Sequence, residues 1–433
     1  MTTSESQHWV RSLGVALGLG LVAGTLGLAY VTVEHWLQHF LWTEIPELLG
    51  AAEGDVQWWL VLLLPAAGGL LTAAARLLPG DGGHDPLEGL GGGPTPPQYV
   101  PSALLAALAS LAFGVVLGPE APLMALGTGA GLLVARLVKA PPSATAYYGF
   151  AGAFAAFGVV FGNPLNSAVL LIEVVVVAAG AKVIPMLLPG LVAAGTGYLL
   201  FTGVGGWVGV ENSSLAIPGI PVPDSLRLTE LAWAVVIGVL AALLVHVVRR
   251  ALPEVAKPIR RLSSFPLLAV SGATIGAIAL LYAALTDRSA VQVLFSGQSE
   301  LDSLVAETSV SVLVIFGVLK LLAYVLSAAA GYRGGLIFPM LAISVALALA
   351  VSQVLPGLGT AAAVSAAVAA SMSGFLNAPF SGVVFAVLLL GPAGDVTTPV
   401  AILASAAAYV VAVRLEHAGA TEVPAPPVQS APV

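Results

Sequence analysis

The strongest constraint on the fold is a series of long apolar stretches that carry very few charges. Of the 433 residues, 58% are hydrophobic and 9% are charged, whereas typical soluble domains carry about a quarter charged residues. Roughly ten of the stretches approach the ~20 residues that span a bilayer as a helix. The sequence therefore predicts an all-α integral membrane protein that crosses the cell membrane several times.

Glycine and proline interrupt many of these stretches. The chain has 49 glycines and 30 prolines, and breaks of this kind persist at membrane depth only where neighbouring helices cover them. Small residues also let helix backbones approach closely. We therefore expect a bundle with broken and re-entrant helices. Because cysteine is absent, disulfides and thiolate metal sites are excluded, and we expect no metal site and no cofactor.

Composition divides the chain into five segments. We predict a polar lead over residues 1–9, a first membrane half over 10–248, a basic linker over 249–264, a second membrane half over 265–415 and a disordered tail over 416–433. The linker holds five of the fifteen basic residues, Arg249, Arg250, Lys257, Arg260 and Arg261. By the positive-inside rule it lies in the cytoplasm, an interpretation we prefer to a nucleic-acid or lipid site.

The first span is predicted to cover residues 10–33. The loop after it lacks lysine and arginine, which places it outside. Its acids are Glu34, Glu44, Glu47, Glu53 and Asp55.

The segment Gly118-Pro119-Glu120-Ala121-Pro122 places one carboxyl group between two apolar runs, 101–117 and 123–135, that contain no charge. An ionised carboxylate is costly in hydrocarbon and usually faces a water-filled path or a partner. The prolines interrupt a helix, and a helix starting after Glu120 would direct its free N–H groups at the carboxylate or at an anion. The pattern predicts an ion site; the alternative is a kink from which Glu120 reaches the surface.

Three segments of the first half recur in the second half, in the same order. Pairing Gly83 with Gly297, Pro122 with Pro339 and Pro164 with Pro379 gives offsets of 214, 217 and 215 positions. Nearly constant offsets indicate duplication, and repeats with broken helices in matching positions are typical of transport proteins. The turn 331–335 is then the counterpart of the approach to Glu120. Two helix N-termini meeting there would surround an anion with backbone N–H groups.

These motifs resemble the CLC family of chloride channels and chloride/proton exchangers. Residues 118–122 resemble its G-R/K-E-G-P motif, and Gly334-Gly335-Leu336-Ile337-Phe338-Pro339 resembles its G-G-I-F-x-P motif. The resemblance covers about residues 10–415. It implies an inverted-repeat bundle of tilted helices, assembled as a homodimer with one pore in each subunit and without regulatory domains.

The resemblance also implies roles for particular residues. Glu120 matches the gating glutamate, whose carboxylate occupies an anion site when the pathway is closed and leaves it, or is protonated, when the pathway opens. Leu336 and Ile337 match the positions whose backbone amides hold the central anion, so the change of side chain there is tolerable. The resemblance predicts seven anion-binding positions. In this sequence they are Gly83, His84, Gly118, Ala121, Leu336, Ile337 and Phe338.

Several positions depart from the family pattern. Gly83 stands where the family has a pore serine, and His84 is either a substitute donor or a turn residue. Pro119 replaces a basic residue and removes one N–H group. No tyrosine lies at the distance of the family's pore tyrosine; Tyr409 is nearby, and we interpret it as a packing residue. Arg333 is either a source of anion-attracting field or a surface charge of the turn.

Glu173 is a candidate inner acid, or alternatively a structural acid bonded between helices. Exchangers of the family place a second glutamate directly after this position, where the sequence has Val174. Valine does not carry protons, so the departure favours channel-like or weakly proton-coupled conduction. The alternative is a chloride/proton antiporter with an atypical proton route. We interpret Lys320 as a residue whose stem snorkels along the bundle.

The predicted function is transport of chloride or a similar small anion across the membrane through a pathway gated by Glu120. Its partners are the anion, protons, the lipid bilayer and a second copy of the chain, with no nucleic acid. A proton-coupled transporter of another solute is a second alternative. An intramembrane enzyme is not expected, because none of the six histidines lies near Glu120 in sequence or beside another membrane-depth acid.

Overall fold

The architecture was obtained as a computed structural model, which describes residues 3–88, 93–161, 163–179, 184–205, 217 and 219–420. In these residues nearly all regular structure is helical, and the pairing of β type is a single antiparallel bridge between Gly118 and Gly335. The prediction of an all-α membrane protein is confirmed.

The first half contains eight α-helices among the residues described. They are α1 (Thr3–His39), α2 (Ile45–Leu48), α3 (Trp58–Ala75), α4 (Val100–Leu111), α5 (Glu120–Leu137), α6 (Pro142–Val160), α7 (Pro164–Ala179) and α8 (Ile184–Gly205). The second half follows with another eight in its described part. They are α9 (Leu228–Ile259), α10 (Ser264–Thr286), α11 (Leu301–Ala306), α12 (Val310–Ala330), α13 (Ile337–Val354), α14 (Thr360–Leu376), α15 (Pro379–Leu390) and α16 (Pro392–Ala420).

Seven segments of the described chain are long and apolar enough to cross a membrane. They lie in α1 to α2, α3, α9, α10, α12, α13 and α16. Shorter apolar helices, such as α14 and α15, fill the space between them. This mixture of full and short helices is the broken-helix bundle that the glycine and proline content predicts.

Four predicted boundaries differ from the ends of the helices. Helix α1 begins at Thr3, so the polar lead is helical, and it continues to His39, so the predicted end of the first span at residue 33 is wrong. The helix persists because Glu34 lies on a buried face while Val33 and Trp36 face outward. Helix α9 runs to Ile259, so most of the predicted linker is helix. Residues 416–420 belong to α16, and 421–433 lie outside the described residues.

The two halves repeat the same helix contacts. Helix α1 packs on α8 as α9 packs on α16, and α5 packs on α6 as α13 packs on α14. The halves meet where corresponding helices pair, α3 with α10 and α7 with α15.

The two halves are also inverted relative to each other. The end of α13 lies near the start of α9, where Thr229 donates its hydroxyl to Gly357 O at 2.9 Å. Helix α5 runs toward the other end of α9, since Thr128 lines a cavity together with Leu252 and Pro253. Because α5 and α13 start at the same bridge and diverge, the predicted inverted repeat is confirmed.

Glycine contacts bring α5 and α6 close together. A methyl group built at Gly131 would lie 2.0 Å from the carbonyl oxygen of Tyr148, and one at Gly127 would lie 2.2 Å from that of Gly152. The obstacle is backbone in both cases, so a side chain at either position would force the helices apart.

We predict that Gly131→Ala destabilises the protein. Alanine favours a helix by about 1 kcal/mol over glycine, but overpacking against backbone costs about 1–3 kcal/mol, so the net effect is a lower free energy of unfolding. Thermal unfolding in detergent measures it. Gly14→Ala is the matched control, because a methyl group there meets nothing within 4 Å; equal unfolding temperatures for both variants would contradict the packing argument.

Candidate anion site

A short bridge joins the segments that precede α5 and α13. Gly118 donates its N–H to Gly335 O at 2.8 Å, and Gly335 donates to Gly118 O at 2.5 Å. The first turns of both helices therefore lie side by side, with their free N–H groups directed at one region. Helix N-termini attract negative charge, and the bridge brings two of them together, as the repeat predicts.

Two serines hold these segments, and each serine belongs to the half of the chain opposite to the segment that it bonds. Ser110 on α4 accepts the N–H of Arg333 at 3.1 Å, and Ser327 on α12 accepts the N–H of Val116 at 3.2 Å. Ser327 follows Ser110 by 217 positions, and Arg333 follows Val116 by the same 217. Each half thus supplies the serine that fixes the other half's loop. The sequence comparison missed this fourth repeat because single serines carry no recognisable motif.

Glu120 lies directly on the meeting point of the two helices. Glu120 is 0% exposed, and its carboxylate oxygen Oε1 accepts the N–H of Phe338 at 2.9 Å. The backbone amides of Ile337 and of Glu120 itself also act on the carboxylate. The alternative in which Glu120 reaches the surface is wrong in this structure. The carboxylate occupies the point where the first turns of α5 and α13 meet.

Glycines provide the space for this carboxylate. A methyl group built at Gly335 would lie 1.7 Å from Oε2 of Glu120, and one at Gly118 would lie 2.1 Å from it. Oε2 itself has no hydrogen-bond partner within the described part of the chain. The carboxylate is thus bound firmly through one oxygen and loosely through the other.

Tyr324 is a site residue that the sequence analysis did not find. It is fully buried in α12, and its hydroxyl donates to Leu336 O at 3.3 Å. Leu336 immediately precedes α13, so Tyr324 positions the helix N-terminus that holds Glu120. The available signal was a hydroxyl group within an otherwise apolar run.

Aromatic rings close the space around the site. Phe161 contacts Phe338 at 5.6 Å and Phe385 at 5.2 Å between ring centroids, and Phe157 lies 4.6 Å from Phe161. Phe157 belongs to α6 and Phe161 directly follows that helix, whereas Phe338 belongs to α13 and Phe385 to α15. Three helices therefore contribute to one wall of aromatic rings. The wall packs against Phe338, whose N–H bonds to Glu120.

A cavity of about 630 Å³ extends from this wall toward the end of the molecule that carries the basic residues. Leu336 and Phe157 line it at the site. Arg249 lines it farther away, where it pairs with Glu416 at 3.0 Å and donates to Phe375 O. The cavity thus reaches from Leu336, next to the start of α13, to the Arg249 side chain.

The two remaining anion-site candidates, Gly83 and His84, do not face Glu120. Gly83 donates its N–H to Gly80 O at 2.8 Å. His84 Nε2 lies 2.9 Å from Gly93 O, and its Nδ1 lies 3.6 Å from Glu88. Both are bonded within their own loop, which favours the turn interpretation of His84. The loop reaches the cavity through Pro86, Leu87 and Glu88 instead.

An ion-pair network fixes that loop to the second half. Asp85 receives two hydrogen bonds from Arg260, at 2.6 and 3.0 Å, and lies 3.2 Å from Arg333. Burial acts to raise the pKa of Asp85, but the bonds from Arg260 and Leu87 and the nearby charges of Arg333 and Arg260 outweigh it and lower the pKa. Arg333 is 3% exposed, so the interpretation of Arg333 as a surface charge is wrong.

Two further charged groups have structural contacts. Lys320 is 0% exposed and donates to the carbonyls of Gln292, Val293 and Leu294 at 2.9–3.2 Å, so the snorkelling interpretation is wrong. Glu173 accepts the N–H groups of Phe380 and Ser381, both at 2.7 Å, at the start of α15. These contacts correspond to its structural alternative. The side chain of Val174 lies outside the described residues, and Tyr409 is partly exposed on α16.

Two inverted halves with broken helices, whose N-termini meet at a buried acid, define a membrane transport protein of the inverted-repeat class. Residues 80–413 match the profile of the family described as Voltage gated chloride channel. The chain belongs to this CLC family, as the motifs predicted.

Among its relatives is a protein of Escherichia coli (strain SMS-3-5 / SECEC) with the provisional name of ion-transport protein YfeO. It is 27% identical over 361 residues, which cover 82% of both chains. A protein of the same name from Shigella boydii serotype 4 shows the same identity and coverage.

Solved structures share the fold. A slow cyanobacterial Cl⁻/H⁺ antiporter is 18% identical with a TM-score of 0.71, covering 95% of this chain and 99% of its own. A CLC-type fluoride/proton antiporter is 18% identical with a TM-score of 0.73, covering 96% and 98%. At these identities the likeness is one of architecture.

We predict that Gly335→Ala expels the Glu120 carboxylate from its position, because the new methyl group and Oε2 cannot share the same space. A structure of the variant should show no contact between Glu120 and the Phe338 N–H. Gly118→Ala should have the same effect from the other side of the bridge. A Glu120 carboxylate that keeps its contact with the Phe338 N–H in both variants would contradict this packing argument.

We predict that Asp85→Asn lowers the free energy of unfolding by about 1.5–3 kcal/mol, the value of charged hydrogen bonds. Because the pKa of Asp85 is lowered by folding, its stabilisation is complete above its ordinary value of 3.8 and declines as the pH falls through the lowered pKa. Thermal unfolding of both proteins across this range measures the difference. Asp81→Asn, whose carboxylate is 65% exposed, should cost under about 1 kcal/mol.

Proposed function

We propose that the protein transports chloride or a similar small anion across the cell membrane through a pathway gated by Glu120, as a channel or with weak proton coupling. One observation carries the proposal: a buried carboxylate accepts the N–H of Phe338 where the N-termini of α5 and α13 meet. A mobile anion that replaced the carboxylate would receive the same backbone donors.

The donors suit fast passage. Backbone N–H groups compensate the loss of the anion's water shell, and no lysine or arginine among the described residues touches the Glu120 carboxylate. A full positive charge at this depth would bind the anion too tightly for release. Ala121 and Ile337 lie in the first turns, where amides lack partners within their own helices.

Protonation of Glu120 opens the pathway in this proposal. The neutral carboxyl group is attracted less strongly by the two helix N-termini, and its Oε2 has no bond to break. The Glu120 side chain then leaves the space between Gly118 and Gly335, and an anion enters that space. The cavity that Leu336 and Arg249 line supplies the route to the basic side.

The weak coupling of anion transport to proton movement is inferred from the residue after Glu173. Valine at position 174 neither binds nor releases a proton, and Glu173 is occupied by the start of α15. The alternative is chloride/proton exchange by another route. A further alternative is proton-coupled transport of a different solute. We also propose a homodimer, on the family resemblance, which the oligomeric state in liposomes tests.

We predict that Glu120→Gln conducts anions at all pH values, because glutamine mimics the protonated acid. For one gating acid, the open fraction of the wild type falls up to about tenfold for each pH unit above its midpoint. Purified protein in liposomes with a chloride gradient tests this, with anion efflux and internal pH recorded together. Glu53→Gln, at an exposed loop acid, is the control and should keep the wild-type profile.

The same recording separates the alternatives. Anion efflux without proton movement supports the channel, and opposed proton movement supports exchange. A Glu120→Gln protein that keeps the wild-type pH dependence would show that Glu120 is not the gate. Absence of halide flux, with uptake of another solute, would support the solute transporter.

A further inference from the structure

Helix α1 carries a polar stripe inside the protein. Tyr30, Glu34 and Gln38 follow one another at intervals of four residues, so they share one face of the helix. Tyr30 is 8% exposed and Glu34 is 5% exposed. The sequence placed Glu34 in an outer loop, whereas the structure buries it within a membrane helix. A buried acid at membrane depth calls for a functional explanation.

The stripe faces the segment that leads to Glu120. Tyr30 and Val31 belong to a buried cluster with Leu123 and Leu126, in the first turns of α5. Gln38 reaches Leu111 O at 3.5 Å, at the end of α4. Glu34 lies on the helix between these two contacts. Helix α1 also packs directly on α5, whose first residue is Glu120.

Glu34 has no cation beside it. It accepts a hydrogen bond from Gln38 at 3.1 Å, and none of the ion pairs in the described ranges includes it. The Tyr30 hydroxyl and Oε2 of Glu120 also have no hydrogen-bond partner among the residues described. Two neighbouring carboxylates without a cation are costly to keep ionised together. A proton shared between them removes that cost.

We propose that Glu34 is a second proton-binding site of the pathway, which receives a proton from the solution on the side of the acidic loop and passes it to Glu120. The inference rests on the gating role proposed for Glu120. The step is a simple transfer: the proton that leaves the Glu34 carboxyl oxygen is the one that binds the Glu120 carboxylate. Glu34 is then ionised again and binds the next proton from solution.

The neighbouring groups support this direction. Gln38 donates to the Glu34 carboxylate and keeps it directed into the protein. The end of α1 is close to the acidic loop, because His39 pairs with Glu44 at 3.3 Å. Glu34 therefore lies between that loop and Glu120. The polar stripe supplies a path along one helix face through otherwise apolar surroundings.

Few other titratable groups face Glu34. Tyr30 lies one turn away on α1, and Glu120 starts α5. Helix α8 contributes Tyr198 to the cluster around Tyr30, whereas α4 and α6 contribute Leu104, Leu108 and Ala156. His35 and His39 are exposed on other faces of α1. Glu120 is thus the acid partner of Glu34.

Flux measurements with Glu34→Gln test the coupling. Removing the Glu34 charge makes Glu120 harder to protonate, so the pH of half-maximal anion flux should fall by on the order of one unit. Maximal flux at low pH should stay, because Glu120 is intact. Glu53→Gln removes an exposed acid of the same loop and should leave the midpoint unchanged. An unchanged midpoint in Glu34→Gln would overturn the proposal.

Infrared titration of the purified protein gives a readout that does not depend on transport. Protonated carboxyl bands should report two linked events in the wild type, and Glu120→Gln should move the Glu34 event to lower pH. A Glu34 band that titrates identically in wild type and Glu120→Gln would overturn the pairing. If the bands are linked but the wild type moves no anion, the pairing holds and the proposed function fails instead.

Discussion

The structure depends on two helix N-termini that meet in the interior. Each brings backbone N–H groups that have no acceptor within their own helix, and such groups are costly to bury unless an acceptor reaches them. Glu120 supplies one acceptor through the Phe338 N–H. The bridge of Gly118 and Gly335 fixes the two segments, and the aromatic wall packs against Phe338.

The repeat makes the framework symmetric and the site asymmetric. Ser110 and Ser327 each accept a hydrogen bond from the loop of the opposite half. Helices α5 and α13 have equal lengths of 18 residues. The position that corresponds to Glu120, 217 residues later, is Ile337. One N-terminus therefore carries the acid and the other supplies the amides that receive it. The two halves thus share the framework, whereas the acid at their meeting point belongs to the first half alone.

The sequence predicts the helices well, because apolar runs bounded by glycine and proline are local signals. It also places Glu120 correctly, since an isolated acid between uncharged runs has few alternatives. It fails at Glu34, because ending a span at the first charge ignores which face of the helix is buried. It fails at Arg333 and Lys320, whose partners are distant in sequence or are backbone carbonyls. Such contacts have no local pattern, so only the three-dimensional arrangement reveals them.

The hydrogen bonds that Ser110 and Ser327 make to the opposite half affect the order in which the protein is assembled. The loop before α5 receives its hydrogen bond from Ser327, and its bridge from Gly335. Neither residue exists when the first half leaves the ribosome, so that half cannot complete its own loop. The loop before α13 in turn waits for Ser110. The meeting point of α5 and α13 is thus assembled last, when both halves are present, and a chain that stops at the midpoint lacks both contacts.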